Sequence, residues 1–506
     1  MYYWIRGAIV GALVTGVFCG CGGESRMPSL APETEDRVAK PLGKLAIGGD
    51  RTLAVLNARV MQGQKPVSGV TVEIGRSVSG RAAEYRWSGT TNARGQARIE
   101  IAEVGVTGYY RARAMRGVSM LGSWSSIPVN GGFETTVELV IGGRASTAGT
   151  IKLAPGGLPA EIAIGVVLPL TGPQTRYGFP AIEGFELARE EINNSSKLGG
   201  AGINFIVEDS RGTAAGAVDA FNKLIDRDGV SVILGPVIST AAREAFPIAE
   251  RNEVLAFSSI STAAGLSAIG DYIFRAGLNV NALLPGPVSE TQEKLRYRRV
   301  ATIVDETDVF SKSSDETIRR TLSGIEVEIL ATETIATGDT TFSEQLTRIK
   351  ALNPHAVFVS ALGAEQIRIL IQAREAGIGA NIPFLVPVMT AVEVEAAGDA
   401  AEGAISFVSW SSAADTPGNE TFVANYLARY GSEPSTWAAQ SYAALYIIAE
   451  AIAGAGSTDA GAIRGAMAGT RDLDTVLGSF SFDDSGDAVY DPVVLIVRDG
   501  ELVVFE

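Results

Sequence analysis

The chain has 506 residues, 46% of them hydrophobic, with 42 Lys and Arg against 57 Asp and Glu and a formal net charge of −15. An acidic balance of that size argues against a nucleic-acid partner, and the apolar fraction belongs to folded domains rather than to a disordered stalk. A single His, His355, and two Cys, Cys19 and Cys21, leave the body of the chain without a disulfide, a thiol nucleophile or a His/Cys zinc site, so the chain is not expected to be an enzyme, with carboxylate-only mechanisms left open and no metal or cofactor implied.

The chain starts MYYWIRGAIVGALVTGVFCGCGG. Arg6 precedes an apolar run from Gly7 to Phe18, too short to span a bilayer as a helix but with the anatomy of a secretory signal. Its exit, Phe18-Cys19-Gly20-Cys21, resembles the bacterial lipobox, in which cleavage precedes a Cys that is lipidated. Cys21 fits because Gly20 is small, whereas bulky Phe18 precedes Cys19. Residues 1–21 are therefore expected to be a lipoprotein signal with Cys21 as anchor, an ordinary cleaved signal being the alternative. Such an anchor would tether an otherwise soluble, exported chain to the membrane. Residues 22–44 mix Pro, charge and small residues and predict a flexible linker.

From residue 45 to 143 short runs alternate apolar and polar residues: LAVLNARV, VTVEI, ARIEI, YYRARA and ETTVELVI. Turn-rich breaks such as QGQKP and TTNARGQ separate them, and no helical period is visible, so an antiparallel β-sandwich is predicted with TNARGQ as a corner between two strands. The stretch KPVSGVTVEI followed by GTTNARGQARIEI resembles the immunoglobulin-like and transthyretin-like modules of surface proteins, which implies a spacer or adhesion role. A linker is expected over 144–159. Beyond it, apolar runs alternate with amphipathic helical ones: AIGVVLP, FPAIEGFELAREEIN, INFIVED, AGAVDAFNKLIDRDG, VSVILGP, STAAREAFPIAERN, then a second series from RVATIVDE to PFLVPV. Continuous Val/Ile/Leu strands between helices predict parallel sheets covered on both faces, and two such series over 160–506 predict an α/β fold of two doubly wound lobes. Ligands of open α/β sheets sit at the carboxyl ends of the strands, so facing lobes would make a cleft.

Residues 160–506 resemble the type I periplasmic binding proteins, specifically the leucine/isoleucine/valine receptors of ABC importers. The carrying segments are LPLTGPQTRYG (168–178), VSVILGPVIS (230–239), GDTTFSEQLTRIKALNPHAVFV (338–359) and AGDAAEGA (397–404). The resemblance implies a return between lobes around Ala404 to Trp410, hinge closure over the ligand, and delivery to an ABC permease. The open alternative is a sensory or surface-interaction protein on the same fold.

The stretch SSISTAAGLS (258–267) is expected to end a strand and start a helix, with Ser261 and Thr262 as N-cap types whose neighbouring N–H groups favour an anion. By the resemblance, the backbone of Ile260, the N–H and hydroxyl of Thr262, and Ser239 hold the ligand's carboxylate. Tyr177 would lie over the ligand, although a loop aromatic serves equally for local packing. Phe310 and Leu362 fall where the family carries Tyr. Val388, in LVPVMTA, falls where amino-acid receptors place the Glu that neutralises the ligand's ammonium. A buried ammonium without an anion is costly, so these departures point to a small carboxylate without an ammonium beside it: an aromatic, branched or keto acid. The competing expectation is that Asp308 or Glu306 has taken over the ammonium. DDSGD (483–487) has a calcium-loop composition but lacks the bidentate Glu, and reads as a polar turn.

Overall fold

The computed structural model describes residues 53–76, 84–102, 108–129, 132–152 and 157–506. The expected signal segment, Cys21 and the expected linker over 22–44 lie outside the described residues. The β module consists of two sheets. In one, Leu53–Gln62 pairs with Lys65–Pro66, Gln96–Ala102 and Phe133–Val140, and the last of these pairs with Ala145–Lys152; the other runs Glu84–Thr90, Thr71–Arg76, Gly108–Arg116, Ser119–Val129. Alternation explains the packing: Ala54, Leu56, Ala58 and Val60 point inward against Val72, Ile74, Ile99, Ile101 and Trp124, forming a core of the module's own.

Two expectations are corrected here. The sandwich is not antiparallel throughout, because Leu53–Gln62 and Phe133–Val140 run parallel, from Val55↔Glu134 to Met61↔Val140. Nor are residues 144–159 simply a linker: Ala145–Lys152 is a strand on Phe133–Val140. Its sequence, ASTAGTIK, is made mostly of small residues and Thr, which carry too little apolar alternation to read as a strand. The TNARGQ stretch does turn the chain from one sheet into the other. Asn92 Oδ1 accepts the N–H groups of Arg94 (3.0 Å) and Gln96 (3.1 Å), and Gly95 adopts φ +72 where a Cβ would meet Val60 O at 2.7 Å. The same corner touches the next part of the chain, Ala93 N–H donating to Glu253 (2.9 Å) and Arg94 Nε to Asn252 O (3.0 Å).

Each lobe is a sheet between helices. The first sheet is parallel, in the order Gly202–Asp209, Glu161–Leu168, Val232–Leu234, Leu255–Ser258, Ile273–Arg275. The second runs Glu328–Ile335, Arg299–Asp305, Ala356–Ser360, Phe384–Val386, Ile405–Val408, then two antiparallel additions, Val493–Arg498 and Glu501–Val504. Inner strands such as Ala356–Ser360 are buried at every residue because helices cover both faces. The chain passes to the second lobe after Arg275, returns after Val408, and crosses again after Val489. The return begins within the expected Ala404–Trp410 stretch, once strand Ile405–Val408 of the second sheet has ended. Helix Asn419–Tyr430 then lies against the first lobe, where Tyr430 Oη donates to Glu183 O (3.0 Å) and Asn425 Nδ2 to Glu191 (2.9 Å).

Candidate ligand-binding site

At the carboxyl ends of the strands the lobes border about 430 Å3 of space, counting its open mouth. Its lining contains all eight residues singled out above: Tyr177, Ser239, Ile260, Ser261, Thr262, Phe310, Leu362 and Val388. It adds Val237, Ile238, Ala361, Gln366 and Trp437, and no lining residue is charged.

The first-lobe wall differs from expectation in its local structure. No helix starts at Ser261 or Thr262; after strand Leu255–Ser258 an extended loop runs on, and the next helical element is a single 3₁₀ turn, Ser267–Ile269. What fixes this loop is Arg275, fully buried on the adjacent strand, which donates to the carbonyls of Ala263 and Ser261 while Val280 N–H donates to Thr262 O at 2.8 Å. Burial pulls the Arg275 pKa below its ordinary value, and Asp487 opposes that pull. The Asp487 carboxylate accepts from Arg275 Nε (2.7 Å), Ser267 Oγ (2.6 Å) and Asn279 Nδ2 (2.8 Å). DDSGD is thus a structural turn: Asp483 Oδ1 accepts the N–H of Ser485 and of Asp487, each at 2.9 Å, and the turn delivers Asp487 to Arg275.

The helix start that does face the cavity is that of Ser239–Arg251. Its N-cap position, Ile238, supplies no side-chain cap, so the first-turn N–H groups are left for other partners. Ser239 Oγ accepts the Ala263 N–H at 3.3 Å, which leaves the hydroxyl hydrogen free to donate. Ser261 is different. Its hydroxyl donates to Ser258 Oγ (2.6 Å), which donates to Pro236 O (2.6 Å), and its N–H also points to Ser258 Oγ (3.2 Å). Both Ser261 donors are therefore engaged inside the lobe, and its role as a capping donor is corrected to that of a wall residue.

Phe310 comes from the first turn of helix Val309–Gly324, Leu362 follows strand Ala356–Ser360, and Val388 lies just past strand Phe384–Val386. Tyr177 is buried, stands edge-on to Trp437 (ring centroids 5.4 Å apart), and accepts the Gly363 N–H at 3.1 Å across the lobes. Burial pushes its hydroxyl well above the usual phenol range, so it stays protonated. Neither acid proposed for ammonium binding lines the cavity. Asp308 caps helix Val309–Gly324, accepting from Ser311 N–H and Oγ (2.9 Å each), and takes a further bond from Thr240 Oγ1 at 2.9 Å; Glu306 is exposed. Glu393 is buried, but it completes the Thr390 capping box and pairs with Arg176 at 3.3 Å. His355 is exposed at the far end of its strand, its Nδ1 accepting the Arg298 N–H at 3.1 Å.

Of the residues the sequence did not reveal, Gln366 sits one helical turn past Leu362, a spacing that puts both on one face. Trp437 starts the long helix Thr436–Ala455, far along the chain, and nothing local to it signals a cleft.

Two lobes joined by three crossings, with an uncharged cavity between them, define a solute receptor. The chain belongs to the family described as periplasmic binding protein, which it matches over residues 161–499. Among similar curated proteins is the leucine-, isoleucine-, valine-, threonine-, and alanine-binding protein of Pseudomonas aeruginosa, 26% identical over 355 residues, covering 69% of this chain and 91% of that one. Among solved structures, the leucine binding protein LivK of Thermotoga maritima is 26% identical with a TM-score of 0.65, covering 68% of this chain and 98% of that one. A solute binding protein of an R. palustris ABC transporter, solved with benzoate, shares the fold at TM-score 0.62 and 21% identity over 68% of this chain and 95% of its own. The chain is similar to the substrate-binding proteins of branched-chain amino acid ABC transporters.

Proposed function

We propose that the protein captures a small carboxylate without an ammonium group, an aromatic or branched acid, and presents it to an ABC permease. The carrying observation is the composition of the cavity wall: hydroxyls and an uncapped helix start on one side, and no acid anywhere in the lining. A carboxylate meets donors and a favourable helix dipole there, whereas an α-ammonium would lose its water shell and gain no counter-charge. The fold itself tolerates such a ligand, since the R. palustris neighbour holds benzoate. Export and tethering through Cys21 complete the reading, with the β module as spacer between membrane and receptor.

Calorimetric titration with leucine, 4-methylpentanoate and benzoate tests it. The acids are expected to bind and leucine to bind at least about tenfold more weakly, the equivalent of about 1.4 kcal/mol. Leucine binding more tightly than both acids would overturn the reading.

A further inference from the structure

Gln366 is the one polar side chain on the second-lobe wall of the cavity. It is 2% exposed, and its Nε2 donates to Ala361 O at 2.8 Å, which fixes the orientation of the amide. With the nitrogen committed, Oε1 is left as an acceptor, and it is buried without a hydrogen-bond partner. Buried polar atoms are nearly always paired, and an orphan in a ligand cavity points to a group that arrives with the ligand. Everything else around it on that wall, Phe310, Ala361, Leu362 and Val388, is apolar and supplies no donor. Resting on the carboxylate reading above, we infer that Gln366 Oε1 selects ligands carrying a neutral hydrogen-bond donor in addition to the carboxylate: hydroxylated carboxylic acids in preference to the bare acids. An ammonium would also donate, but a neutral amide oxygen cannot balance its charge in a cavity with no acid. A hydroxyl matches the oxygen without bringing a charge.

Sites built to bond a hydroxyl reject analogues that lack it, because the buried partner then stays unpaired. Titration of the full protein with matched pairs reads this directly: benzoate against 3- and 4-hydroxybenzoate, and 4-methylpentanoate against 2-hydroxy-4-methylpentanoate. At least one hydroxylated member is expected to bind about tenfold or more tighter than its bare partner. In Gln366→Met, of similar volume and without the acceptor, that preference is expected to fall to near unity, the hydroxylated acid losing its partner and the bare acid no longer leaving an acceptor unpaired; circular dichroism and thermal melting report whether the variant has folded. If the acids bind but no hydroxyl in either pair improves affinity in the unaltered protein, the role of Gln366 is overturned and the carboxylate reading stands. Survival of the preference in Gln366→Met would overturn it as well. If no acid binds, the carboxylate reading fails first and the inference with it.

Discussion

The two walls of the cavity are built on different principles. The first-lobe wall carries its donors on backbone whose every turn is tied down: Arg275 takes the loop carbonyls, Asp487 takes Arg275, and the helix from Ser239 starts with free N–H groups. The second-lobe wall is Phe310, Ala361, Leu362 and Val388 with a single amide among them. Hydrogen bonds to an anion require fixed directions, so they belong on a preformed surface; apolar contact depends on area and tolerates small shifts, so it suits the wall that moves in. On the carboxylate reading proposed above, the difference predicts an order of events in which ligand docks on the first lobe by charge and the second lobe then judges its shape.

The largest effect should come from removing what makes the first wall rigid. Arg275→Ala leaves Asp487 buried without its partner, and breaking a buried pair in this way costs about 3–5 kcal/mol. Chemical denaturation with urea is expected to show a correspondingly lower midpoint, and ligand affinity should fall with it. Retention of full stability would mean that the loop holds its shape without the buried pair. Next in size are the donors themselves. Ser239→Ala and Thr262→Val each remove a lining hydroxyl that, on the proposed reading, bonds the carboxylate, where hydrogen bonds to charged groups are worth about 1.5–3 kcal/mol. Calorimetry should record a loss of about tenfold to a hundredfold for every acid tested, with melting of the unliganded protein little changed.

Much of this was legible in the sequence, and the gaps have physical reasons. The alternation of β and α runs announced two lobes because parallel strands covered on both faces must be continuously apolar. Some lining residues could be placed by resemblance because they come soon after a strand, as Leu362 follows Ala356–Ser360 and Val388 follows Phe384–Val386. What stayed hidden depends on distance along the chain. Arg275 reads as one charged residue in an apolar strand, and only Asp487, brought back by a turn that resembles a calcium loop, explains why it is there. The capping signal of Ser261 and Thr262 was locally sound, yet no helix follows: Arg275 and Val280 take the carbonyls that a helix would need. Strand Ala145–Lys152 escaped for the opposite reason, since its small residues carry almost no pattern and a neighbour's free edge decides its conformation.

The apolar wall can be made to resemble that of an amino-acid receptor. Val388→Glu adds a carboxylate to the second-lobe wall, and leucine affinity is expected to rise by about tenfold or more as its ammonium gains a counter-charge, while the bare acids lose affinity to the new negative charge. Paired calorimetric titrations of leucine and 4-methylpentanoate check both signs. A variant that folds and gains nothing for leucine would show that Val388 does not face the ligand's α-substituent.

The smallest expected effect isolates the meeting of the two walls. Thr240 Oγ1, on the first lobe, donates to Asp308 Oδ1 at 2.9 Å and accepts the Val309 N–H at 3.1 Å, both on the second. Because Ser311 bonds the other oxygen of Asp308, Thr240→Val leaves that helix cap in place and removes one of several links between the lobes, the Tyr177–Gly363 bond among those that remain. The closed form should lose about 1 kcal/mol, roughly a fivefold weaker Kd. That loss belongs in the dissociation rate, since ligand first meets the first lobe, which the substitution leaves unaltered in its donors. Stopped-flow release of a bound acid should therefore quicken about fivefold at an unchanged association rate. A slower association instead would mean that the second wall takes part in the first encounter, and the division of labour between the lobes would have to be redrawn.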